Sequence, residues 1–138
     1  MFIYIAALVK NCQDTLEKNI DFIRDYNEKY RDKDQIKLLI LENDSIDDTK
    51  KILDKYSNNN LIQIFSQNGL EKKILNRIER ITYCRNFIFE KIRDINTEES
   101  DILYIPADFD IDLFNRQTVE EFYNTLNFLI NNKEIDAM

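Results

Sequence analysis

The side chains in this sequence that could do chemistry gather in a few short segments. Asp108-Phe109-Asp110 places two carboxylates one residue apart. At the end of a strand both can reach a hard divalent cation, which in turn can bridge a diphosphate, and all-oxygen ligation suits Mg²⁺ or Mn²⁺. The same spacing recurs at Asp32-Lys33-Asp34 and Asp110-Ile111-Asp112, as expected of an acidic chain. The plainer reading is a solvated turn whose Asp112 or Asn115 caps the next helix. A second segment, Glu42-Asn-Asp-Ser-Ile-Asp-Asp-Thr49, also has two readings. Asp44 or Ser45 can cap a helix whose positive end Asp47 and Asp48 favour, but that leaves Glu42 and Asn43 unexplained. An acid at that strand end can accept hydrogen bonds from a base or ribose.

The third segment is Arg77-Ile-Glu-Arg-Ile-Thr-Tyr-Cys-Arg-Asn86. At about 100° per residue, Ile74, Ile78, Ile81, Ile88 and Ile92 form one apolar stripe with Arg85 inside it. A core-facing arginine is costly unless paired. It is either half of a buried ion pair, for instance with an acid of the Asp108 loop, or a phosphate ligand. Arg77 and Arg80 lie on a neighbouring face, where ordinary surface charge is the simpler account.

The elements that must position these residues follow from periodicity. Phe2 to Val9 is a continuous apolar run, as in a central parallel strand covered on both faces. Leu16, Ile20, Ile23 and Tyr30 recur at helical spacing behind Asp14 as a possible cap. Ile36 to Leu41 reads as a second strand, and Ser45-x-x-Asp48 as a capping box opening a helix with Ile46, Ile52, Leu53 and Tyr56. Leu61 to Phe65 is a third strand, followed by a long helix from about Leu70 or Ile74 to Ile92. After a polar loop, Asn96 to Ser100, comes a fourth strand, Asp101 to Ala107. A helix then holds Val119, Phe122, Leu126 and Leu129, and Ile135 to Met138 resembles the start of another strand. This alternation predicts an α/β fold with a mainly parallel sheet and helices on both faces. Pro106 fits only an edge or end position of its strand.

Ligands of open α/β sheets bind outside the carboxyl ends of the strands. There the sequence places Lys10 and Asn11, then Glu42 to Ser45, then Ser66 to Gly69, then Asp108 to Asp110. This convergence is a stronger signal than any one motif. Length and composition narrow the remaining classes. The 138 residues suit one domain, and a net charge of −7 argues against a nucleic-acid binder. With no histidine, Ser-His-Asp and Cys-His catalysis and His-ligated zinc are excluded. Cys12 and Cys84 show neither metal-ligand spacing nor a disulfide pattern, which points to a reducing cytosol. Phe2 to Val9 is too short for a membrane span.

Together these residues resemble a known family. Glu42 to Thr49 is similar to the Asp-Asp-Gly-Ser-Thr-Asp-Gly-Thr stretch of family 2 glycosyltransferases. The resemblance is closer to the fungal capsule-associated α-1,3-mannosyltransferases, which combine Glu-Asn-Asp-Ser, a helix with Arg-x-x-Arg and Arg-Asn, and an acidic strand end. Here those are Glu42 to Ser45, Arg77, Arg80 and Arg85-Asn86, and Asp108 to Asp110, in order over residues 1 to about 112. The resemblance implies a Rossmann-like GT-A nucleotide-sugar-binding domain of a glycosyltransferase, using Mn²⁺ or Mg²⁺ and a nucleoside-diphosphate-sugar donor. It implies that Glu42, flanked by Asn43 and Asp44, contacts the base or ribose and that Lys10 and Asn11 line the base pocket. Asp108 and Asp110 would hold the metal and diphosphate, while Arg77 and Arg85 would face the phosphates or brace the metal loop. Asp44 stands where the family 2 pattern has Gly. The chain stops at Met138, where the family continues into an acceptor-binding half, so truncation is expected. The expected location is cytoplasmic, with peripheral membrane contact open and the acceptor a glycan, lipid or protein.

The rival classes are a non-catalytic module that binds a nucleotide, glycan or protein, and a metal-dependent nucleotidyltransferase. Nucleotidyltransferases usually carry a Gly-rich loop after the first strand, and Val9-Lys-Asn-Cys12 has none. A response-regulator receiver needs acids after strand one and a phosphoacceptor Asp after strand three. Lys10 and Gln67 discard it.

Overall fold

The computed structural model describes residues 2–95 and 101–132. Four strands, β1 (Phe2–Val9), β2 (Ile36–Asn43), β3 (Ile62–Gln67) and β4 (Ile102–Asp108), form one sheet of order β3-β2-β1-β4, parallel throughout. Five helices surround it: α1 (Leu16–Lys29), α2 (Thr49–Asp54), α3 (Leu70–Lys73), α4 (Arg77–Ile95) and α5 (Val119–Asn131). The expected loop 96–100 and strand 135–138 lie outside the described residues.

The unbroken apolar run of β1 is explained by its place at the centre, with both faces covered. Ile3, Ile5, Ala7 and Val9 join Ile36, Leu38 and Ile40 under α1, α2 and α5. Tyr4 and Ala6 join Leu39 and Leu41 against Leu70 of α3 and Cys84, Ile88 and Ile92 of α4. The sheet is thus a Rossmann-like α/β layer with helices on both faces. From β1 the chain steps outward to β2 and β3, then returns to the other side of β1 for β4. That reversal makes the gap between the ends of β1 and β4 a topological switch point. Among the described residues β4 is an edge strand, which accommodates Pro106 opposite Ala6.

Several local expectations are corrected. Asp14 does not cap α1, whose N-cap is Thr15. The Ser45–Asp48 capping box does not form: α2 starts at Thr49 behind Asp48, and the Ser45 hydroxyl is taken by the Asn11 amide. The long third helix is two helices, broken at Ile74, which is extended at φ −124°, ψ 97°. The Asn76 side chain caps the second by accepting from the Ile78 and Glu79 amides. Arg80 braces the break by donating to the Ile74 and Leu75 carbonyls, a role that surface charge did not suggest. Neither Asp112 nor Asn115 caps α5. Thr118 does so, its hydroxyl accepting the Glu121 amide at 3.1 Å.

Candidate functional site at the carboxyl rim

The four polar segments do meet on one rim. Glu42 pairs with Val9 and Asp108 with Leu8 on either side of β1. Strands about 4.8 Å apart put β2 and β4 roughly 10 Å from one another. The pleat nevertheless separates their side chains. Leu38, Ile40 and Glu42 alternate towards α1 and α2, whereas Tyr104 and Asp108 share the parity that faces α4.

Glu42 is accordingly buried, at 1% exposure. Its Oε2 accepts the Ser45 amide at 2.9 Å, and its Oε1 accepts the Ser66 hydroxyl at 2.6 Å. The carboxylate joins the end of β2 to β3 and fixes the turn that follows. It does not face an open crevice.

That turn begins at Asp44, in the left-handed region at φ 54°. Glycine visits this conformation without cost, and among other residues Asn and Asp tolerate it best. The conformation therefore suits an aspartate at this position. The Asp44 carboxylate accepts the Gly69 and Glu71 amides and the Asn43 side-chain N–H. Burial works to raise its pKa, but the Gly69 amide, Asn43 and the remaining donors outweigh it and hold the group below its ordinary value. Lys10, at the end of β1, pairs with Glu71.

The loops after β1 and β2 are laced together. Asn11, also left-handed at φ 51°, donates its amide to Ser45 Oγ at 3.0 Å and accepts the Ile46 amide at 2.8 Å. The Cys12 amide donates to Thr49 Oγ1 at 2.8 Å. The Gln13 amide donates to Asp47, while its side chain accepts the Asp48 amide. Burial of Asp47 is outweighed by donors from Thr49 and Gln13, which lower its pKa.

The β4–α5 loop is fastened from below. Phe109 is fully buried between the exposed Asp108 and Asp110. The Thr15 hydroxyl donates to the Phe109 carbonyl at 2.6 Å. The fully buried Asn19 amide donates to the Ile111 carbonyl at 2.8 Å and the Phe109 carbonyl at 3.4 Å, and accepts the Leu113 amide at 3.0 Å. Sequence reading passed over Asn19. The available signal was a polar residue within the apolar stripe Leu16, Ile20, Ile23. The acids of two segments share one neighbourhood: burial pushes the Cys12 thiol up, and the charges of Asp110, Asp47 and Asp108 push it further.

Arg85 pairs with Asp108 at 3.5 Å, as one of its two readings anticipated, but the pair is half exposed, with side chains 38% and 61% accessible. Arg77 is exposed and, among the described residues, joins none of these groups. It lies about 12 Å along α4 from Arg85. The rim thus brings together Lys10, Asn11, Asn43, Asp44, Arg85, Asp108 and Asp110. It leaves Arg77 apart and Glu42 beneath.

No three described carboxylates or thiols form a ready-made metal cage. Asp108 and Asp110 do offer two accessible carboxylates at a strand end. Mg²⁺ commonly takes one or two carboxylates and completes its shell with water and substrate phosphates, so the donor set fits a hard divalent cation. A separate hollow of about 360 Å³, lined by Ile3, Tyr26, Tyr123 and Ile130, opens at the amino ends of the strands, away from these groups. Comparison with protein-family models, curated proteins and solved structures returned no match.

Proposed function

We propose that this chain is the donor-binding domain of a metal-dependent glycosyltransferase, which moves a sugar from a nucleoside diphosphate to an acceptor. The observation that carries the reading is the switch point between β1 and β4, bracketed by Lys10 and Asn11 on one side and Asp108 to Asp110 on the other. Asp108 and Asp110 are the residues that would hold Mn²⁺ or Mg²⁺. The ion's contribution is Lewis-acid stabilisation of the diphosphate leaving group. Arg85 orients Asp108 through their ion pair and offers its remaining N–H groups to phosphate oxygens. Asn43 and Lys10 lie on the same side of the sheet and line the donor shelf, while Glu42, Asn11 and Asp44 hold its loops in shape. Calorimetric titration with UDP- and GDP-sugars, with and without Mn²⁺, tests the reading on the wild type and on Asp108→Ala/Asp110→Ala. Metal-dependent binding that the double variant loses is expected. Tight binding indifferent to both metal and substitution overturns the assignment.

The internal saturation of Glu42, Asn11 and Asp44 favours a second reading, a non-catalytic module that binds a nucleotide or glycan. Donor binding with no release of free sugar from any nucleotide sugar, even with metal and acceptor mixtures, selects that reading.

A further inference from the structure

We infer that the elbow between α3 and α4 is a docking surface for an anionic lipid bilayer, an inference independent of the donor-site reading. Leu75 and Ile78 are 83% and 74% exposed, far more than large aliphatic side chains need to be. Ile78 belongs to the stripe that buries Ile88 and Ile92, but it sits in the first turn of α4, outside the core cluster that those residues join. Both side chains therefore project from a helix break, not from a groove.

The charge around them is opposite to that of the chain. Residues 70–85 carry five basic and two acidic side chains in a protein of net charge −7. One of those acids, Glu71, is paired with Lys10, and one of the bases, Arg85, with Asp108. Lys72, Lys73 and Arg77 are exposed beside Leu75 and Ile78. Apolar tips between basic residues suit the headgroup boundary of an anionic membrane, where the tips enter the acyl region and the cations meet lipid phosphates. Ile46 provides the contrast. It is 92% exposed on the same rim, but it stands beside Asp47 and Asp48 in sequence, whose charges such a surface repels. No helix among the described residues is long and apolar enough to cross a membrane, so the contact would be peripheral.

The test is flotation with phosphatidylcholine vesicles that either contain or lack about one third phosphatidylserine. We expect binding to the anionic vesicles only, weakened by added salt. Lys72→Glu/Lys73→Glu should reduce partitioning by roughly 30-fold or more, from about 1 kcal/mol per basic residue. Leu75→Ser/Ile78→Ser should reduce it on the order of a hundredfold, from about 1.5 kcal/mol per buried side chain, and Ile46→Ser should leave it unchanged. All these positions are exposed, and circular dichroism verifies the fold of each variant. Equal binding to neutral vesicles, no binding to anionic ones, or an equal effect of Ile46→Ser overturns the inference. So does a dimer in size-exclusion chromatography that Leu75→Ser/Ile78→Ser abolishes, because a second copy would then be the occupant.

Discussion

Glutamine at position 42 separates two jobs that the carboxylate could have. In the wild type, Glu42 accepts the Ser45 amide at 2.9 Å and the Ser66 hydroxyl at 2.6 Å. Glutamine keeps a carbonyl oxygen for Ser45, and its NH₂ can donate to Ser66 Oγ, because a hydroxyl can turn from donor to acceptor. Only the charge is lost. Hydrogen bonds to charged groups contribute about 1.5–3 kcal/mol and neutral ones about 0.5–1.5 kcal/mol, and a neutral group costs less to bury. We expect Glu42→Gln to lose about 1 kcal/mol. Glu42→Leu removes both acceptors and strands the amide of Ser45, itself only 8% exposed, so it should lose about 3–5 kcal/mol. Urea unfolding monitored by circular dichroism measures both, and calorimetry with the donor nucleotide runs in parallel. If Glu42 shapes the loop, Glu42→Gln retains nucleotide affinity within a few-fold. Abolished binding at unchanged stability shows instead that the carboxylate touches the ligand. A Glu42→Leu loss below about 0.5 kcal/mol refutes the hydrogen-bond reasoning.

The loop below Asp110 should be equally sensitive. Asn19→Leu leaves the Ile111 carbonyl and Leu113 amide without partners, so we expect a loss of about 2–4 kcal/mol and a new protease cleavage within 109–113. Asp44→Asn should cost about 1 kcal/mol at neutral pH, the scale of a lost capping interaction. Because the Asp44 pKa is depressed in the folded state, its stabilisation is full above the ordinary carboxylate range and fades as pH falls through the folded value. The gap between wild type and Asp44→Asn in urea titrations should therefore close on acidification; a constant gap contradicts the assignment. Arg85→Met should change stability by less than about 1 kcal/mol, since the pair is half exposed, yet weaken donor binding. Burial raises both thiols, Cys12 and Cys84, so an aromatic disulfide reagent should label neither in the native protein and both in denaturant.

Periodicity made the sheet readable because β1 and β2 are covered on both faces, and a strand so placed can carry little but apolar residues. Strand alternation likewise placed the polar segments on one rim. Boundaries were less visible. Glu42 and Asn43 look like loop residues because they are polar, yet the ladder runs through them to Ser66 and Gln67. The α3–α4 break has no Pro or Gly to announce it. It depends on Asn76 and Arg80 satisfying backbone groups, and one-dimensional spacing does not encode that. The burial of Glu42 was hidden for a related reason: a carboxylate at a strand end is assumed to face solvent until its donors, Ser45 and Ser66, are located.

The central position of β1 also has a consequence during synthesis. Ile3 has one partner at Ile36 and another at Leu103. At ribosomal rates of about 5–20 residues per second, the second arrives roughly 5–20 s after the strand itself is made. For that interval the nascent chain holds an open, apolar strand edge that must be shielded until β4 emerges.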